Sequence, residues 1–152
     1  MTKTFTLVIV PASFRRSPTG QVSGIVFVEI GPLAFPNREW SDSVVAMLGM
    51  WSQQFITLLN GTAREVDLPF MDGPFVVRLS SRASNRIQVD LINRAHAESV
   101  EGNLVLPVRE IAAAISGVIQ RTLQACSSNL WWSPDIDALN SGLEELLAFR
   151  GV

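Results

Sequence analysis

Apolar and polar residues alternate from the start of the chain: Phe5, Leu7 and Ile9 fall on one face, Thr4, Thr6 and Val8 on the other. This period of two marks a half-buried strand. "GIVFVEI", from Gly24 to Ile30, is nearly continuous in apolar, β-branched residues and predicts a central strand. "FRRSPTGQ", Phe14 to Gln21, lies between the two runs, is rich in turn formers and charge, and predicts a hairpin loop. Further along, Val66, Leu68 and Phe70 alternate with Asp67 and Pro69, and Pro69 has no N–H to give a neighbour, which places that strand at an edge. Phe75, Val77 and Leu79 alternate with Val76 and Arg78, and Ile87, Val89 and Leu91 with Gln88 and Asp90. "GNLVLP" predicts a short last strand.

Three segments change to helical spacing. Val44, Met47, Leu48, Trp51, Phe55, Leu58 and Leu59 form one apolar stripe, which Ser41 or Asp42 is placed to cap and Asn60-Gly61 to end. A second helix starts at Pro107, with Val108, Ile111, Ala112, Ile115, Ile119 and Leu123 on its stripe and Gly117 read as a close-packing position. A third begins at "SPDI": Ser133 caps, Pro134 suits the first position and Asp135 complements the positive helix end. Its stripe is Ile136, Leu139, Leu143, Leu146 and Leu147. Strands joined by short turns pair antiparallel, and one-sided helices need a sheet to cover. The expectation is an α+β fold of two layers: a mainly antiparallel sheet of five or six strands with the helices on one face, in a single domain spanning residues 1–152.

Composition narrows the function classes. The chain has 152 residues, 47% hydrophobic and 17% charged, enough to form a core and too apolar for disorder. A net charge of −2, with scattered arginines and Lys3 as the sole lysine, gives no basic stripe for nucleic acid. The first apolar run stops at Pro11, too short for a secretory signal, and no run approaches a membrane span, so a cytoplasmic, non-membrane protein is expected. Cys126 is the one cysteine, at helical spacing from Thr122 and Leu123, and reads as a buried core residue rather than a nucleophile.

Candidate chemistry is sparse. In "FMDGPF", Asp72-Gly73-Pro74 reads as a turn, with Gly73 providing a positive φ and Asp72 bonding nearby backbone. His96 is the only histidine and lies in a loop, which argues against a zinc site. The acids Asp42, Asp67, Asp72 and Asp90 lie on separate elements and read as caps, turns and the wet face of a sheet, so no metal, cofactor or catalytic residue is expected. Trp51 sits on a core stripe. Trp131 and Trp132 are adjacent, so one is expected to staple the third helix and the other to face out as an interface anchor.

Four blocks, "FPNREWSDSVVAMLGMWSQQF", "FMDGPF", "PVREIAAAISGVIQRTLQAC" and "SPDIDAL", together resemble a group of small bacterial immunity proteins found beside polymorphic or contact-dependent toxins. The resemblance covers Phe35 to Leu139, about two-thirds of the chain. It implies a non-enzymatic cytoplasmic protein that binds a cognate toxin domain and blocks it, and it carries over no catalytic residue. The residues themselves place the partner surface on the uncovered sheet face, with Thr4, Thr6, Val8, Asp67, Val76, Arg78, Gln88 and Asp90, rimmed by Arg15, Arg16, Trp131 and Trp132. Other readings are an adaptor or chaperone for a secreted effector, a small hydrolase using the scattered acids, and a homodimer, for which a mean hydropathy of +0.27 leaves room.

Overall fold

The computed structural model describes residues 3–149. In chain order the elements are β1 (Phe5–Arg16), β2 (Val22–Ile30), β3 (Leu33–Phe35), β4 (Ser41–Asp42), α1 (Val44–Leu59), β5 (Glu65–Pro69), β6 (Phe75–Arg82), β7 (Arg86–Asn93), β8 (Ser99–Pro107), α2 (Val108–Ser128) and α3 (Pro134–Ala148). The fold is α+β and its strand pairs are antiparallel.

The strands divide between two four-stranded sheets where the hydrophobic pattern led us to expect one. In the first sheet β1 pairs along one edge of β2, and the short strands β3 and β4 share the other. The second sheet runs β5-β6-β7-β8, with β5, the strand that carries Pro69, at an edge as expected. Alternation reveals which face of a strand is buried but not which strand lies beside it. At three and two residues, β3 and β4 are also too short to show any period.

Both sheets turn their apolar faces onto one core. The helices α1 and α2 pack into it, α1 against β2 and β5 and α2 chiefly against β1, while α3 packs across α1 and α2. Leu7, Val26 and Val28 of the first sheet meet Val77, Val89 and Leu91 of the second in this cluster. The expected stripes hold with small changes. Leu147 is exposed although it keeps the spacing of the α3 stripe, and a Cβ on Gly117 would meet nothing, so that glycine does not serve close packing. Ser133 caps α3 by accepting from the Ile136 N–H at 3.2 Å. The first helix departs further from expectation: its N-cap is Ser43, whose side chain makes no capping bond.

An aromatic cluster locks α1 to both sheets. Phe35 meets Phe70 and Phe75 edge-on, Trp40 meets the same two rings, and Trp51 meets Phe70. The Trp51 indole is fully buried and donates to the Pro69 carbonyl at 2.7 Å. Trp51→Ala removes that packing and the bond together and is expected to cost about 3–5 kcal/mol in urea unfolding. Trp51→Phe keeps most of the volume and should lose markedly less.

Candidate functional site

Asp42 is fully buried, and its carboxylate gathers N–H groups from two distant parts of the chain. It accepts from the Trp40 indole at 2.9 Å and the Ser43 amide at 2.7 Å, and from the Met71 amide at 3.0 Å and the Asp72 amide at 3.3 Å. Its position ahead of α1 also sets it near the positive end of the helix. The side chain expected to cap α1 therefore holds the β5–β6 turn instead. That turn closes through the Phe70 N–H and the Phe75 carbonyl, 3.0 Å apart. Gly73 does not adopt the positive φ expected of it. It is needed for space, since a Cβ there would lie 2.6 Å from Cη2 of Trp40. Asp72 itself is exposed, and its carboxyl is raised by partial burial and by the charge of Asp42. Two of the blocks that carry the family resemblance, around Trp40–Asp42 and Phe70–Phe75, thus meet in one structural junction.

The outer face of the second sheet brings together Asp67, Arg78, Gln88 and Asp90. Arg78 lies directly across from Asp67 on β5 and from Asp90 on β7. It pairs with Asp67 (Nε to Oδ1, 2.8 Å) and with Glu98 (Nη1 to Oε2, 3.1 Å). Arg94 closes the ring, 2.8 Å from Asp67 and 3.2 Å from Glu98. Asp90 is held by the Gln88 amide at 3.1 Å, and the Arg82 guanidinium donates to that same Gln88. The hydrogen bond from Arg78 holds the carboxyls of Asp67 and Glu98 below their ordinary values. Arg94 and Glu98 belong to the β7–β8 connection, which this network draws over the face. Val76 and Ile92, cross-strand partners there, are buried outside the continuous core. The face is thus partly covered and internally paired, and Val76 is not open to a partner. Thr6 and Val8 lie on the other sheet, so the continuous eight-residue surface read from the sequence does not form.

A different corner carries the two most exposed large apolar side chains among the described residues. After Asn129 the chain reverses with the Trp131 N–H donating to the Cys126 carbonyl at 2.9 Å and the Leu130 N–H to the Ser127 carbonyl at 3.0 Å. This double closure normally places glycine in the left-handed position. Here it is Leu130, at φ 58°, a conformation that costs an L-residue about 1–2 kcal/mol. The Leu130 side chain is 92% exposed and Trp132 62% exposed, while Trp131 between them packs against the core. The adjacent tryptophans divide as expected, one inward and one outward. The β1–β2 turn lies beside them: a Cβ on Gly20 would sit 3.6 Å from the Arg16 guanidinium and 4.0 Å from Cβ of Ser133. Arg15 instead folds back on its own strand, donating to the carbonyls of Ala12 and Phe14.

The expected partner residues therefore separate into two groups: Asp67, Arg78, Gln88 and Asp90 on the second sheet, and Arg16, Trp131 and Trp132 at the α2–α3 corner. Sequence reasoning missed Leu130, Arg94 and Glu98. A non-glycine residue at a helix end gives no warning of a left-handed turn, and loop charges show no period. Cys126 is buried and its thiol is pushed up by that burial. His96 is exposed in the β7–β8 connection. Among the described residues no group of three His, Cys, Asp or Glu is placed to hold a metal, and no helix is long and apolar enough to cross a membrane. A cleft of about 440 Å³ opens between the start of α2 and the end of α3, lined by Arg109, Ala112, Ser116, Leu146 and Phe149 among others. Comparison with protein-family models, curated proteins and solved structures returned no match.

Two substitutions check these roles. Asp42→Asn turns an acceptor into an N–H₂ group facing other donors and should destabilise by about 2–4 kcal/mol in urea unfolding. Asp67 has its folded pKa depressed below the ordinary 3.8. Its contribution is therefore present above that value and lost as pH falls through the lower folded value. Asp67→Asn should then cost about 1 kcal/mol or less at pH 7, and its gap from wild type should be smaller at an acidic pH below 3.8. An equal gap at both pH values would show that the ion pair is not what the substitution removes.

Proposed function

We propose that the protein is a non-catalytic binding protein that acts in the cytoplasm by docking on a partner protein and covering it. The observation that carries this reading is the exposure of Leu130 and Trp132 on a turn that is hydrogen-bonded at both closing positions and anchored by Trp131. Large apolar side chains held rigidly in solvent lower stability and solubility, and they favour association with another surface. The distribution of the acids agrees with it. Asp42 holds a turn, Asp67 lies in an arginine network and Asp90 is bound by Gln88, so these carboxylates serve the scaffold.

The family resemblance of the sequence supplies the class of partner, a toxin domain that the protein binds and blocks. The motifs behind that resemblance build the Asp42 junction and the helix stripes, which leaves the rest of the surface free to vary with the partner.

Co-expression with the product of the adjoining gene tests the reading. Full growth rescue and a one-to-one complex in which the partner has lost its activity are expected. A partner that stays fully active in a stable complex would favour an adaptor or chaperone instead. Absence of both binding and rescue would remove the proposal.

A further inference from the structure

We infer that the α2–α3 corner is the docking surface, and that it fits an apolar recess with a carboxylate at its rim on the partner protein. This rests on the binding reading above and adds where the contact is made and what chemistry it requires.

Shape sets the first requirement. Leu130 and Trp132, 92% and 62% exposed, flank the inward-packed Trp131 in the chain, and side chains standing this far out of the fold need a concave counterpart. Rigidity favours the same reading. The turn is closed by bonds to Cys126 and Ser127 on one side and by the Ser133 cap on the other, so little freedom remains to be lost on binding. The left-handed Leu130 is the most specific sign. Glycine would occupy that backbone position without steric strain, yet the chain places there a large side chain that contributes almost nothing to its own core. A residue that strains the fold and faces solvent is explained by what it touches in a complex.

Charge sets the second requirement. Arg16, beside Ser133 across Gly20, has no carboxylate within ion-pair distance among the described residues. Two acids, Asp135 and Asp137, lie in the first turn of α3, where the positive helix end offsets them. Arg16 is therefore available to an acid on the rim of the recess. On the outer face of the second sheet the arginines already have acceptors: Arg78 is held by Asp67 and Glu98, Arg82 donates to Gln88 and Arg86 to the Val105 carbonyl.

The test is calorimetric titration of the full chain with the product of the adjoining gene, together with the melting temperature of each variant. Trp132→Ala is expected to weaken binding by about thirtyfold or more, with melting little changed. Leu130→Gly is expected to weaken it by about tenfold while melting holds or rises, a combination that a purely structural role for Leu130 does not produce. Arg16→Glu should weaken binding in a salt-dependent way, and Asp90→Ala on the distant face should change affinity by less than about twofold. Wild-type affinity in both Trp132→Ala and Leu130→Gly would overturn this surface and leave the binding reading standing. Failure of the wild-type chain to bind would overturn both. Self-association in sedimentation, or pelleting with anionic phosphatidylglycerol vesicles, would also overturn the proposal if Trp132→Ala abolished it, because the corner would then serve a second copy or a lipid surface.

Discussion

A carboxylate taken fully out of water is tolerable only when its oxygens meet donors enough to replace the lost solvent. Asp42 meets that condition with the Trp40 indole and the amides of Ser43, Met71 and Asp72. The requirement fixes much of the fold. The donors lie before α1 and in the turn after β5, so satisfying the carboxylate holds β4 of the first sheet against the β5–β6 turn of the second. One short segment, Pro69 to Asp72, is then pinned to α1 twice, by Asp42 just ahead of the helix and by the Trp51 indole within it. The edge-on ring contacts of Phe35, Trp40, Trp51, Phe70 and Phe75 surround this joint, and Gly73 leaves room for Trp40.

This constraint separates the parts of the chain that hold the fold together from the parts left facing solvent. "EWSD" and "FMDGPF" look distinctive enough to be a catalytic signature. In three dimensions they form a two-sided clamp whose polar atoms are turned on each other. The charged outer face of the second sheet is likewise occupied with itself: Arg78, Arg94, Asp67 and Glu98 satisfy one another and hold the β7–β8 connection in place. The two most exposed large apolar side chains among the described residues, Leu130 and Trp132, lie at the corner after α2.

Much of the fold was readable from local chemistry. The antiparallel pairing of β6 with β7 follows from the short turn between them, the edge position of β5 from Pro69, the end of α1 from Asn60-Gly61, and the start of α3 from Ser133-Pro134. Longer-range features were not readable. Asp42 looks like an N-cap because its true partners lie 29 and 30 residues away. The two-sheet arrangement depends on which edges meet, a property that period-two alternation does not encode. The site was half readable. The inward and outward division of Trp131 and Trp132 follows from their adjacency, whereas the exposure of Leu130 depends on a backbone angle that a leucine rarely adopts.

The lone thiol acquires a use from its position. Cys126 lies in the last turn of α2, is buried, and its carbonyl receives the closing bond from Trp131. An alkylating reagent reaches its sulfur only when that corner opens, and burial keeps the reactive thiolate scarce until then. The rate of modification at Cys126 thus serves as a built-in clock for breathing of the α2–α3 corner, readable without any label added to the chain.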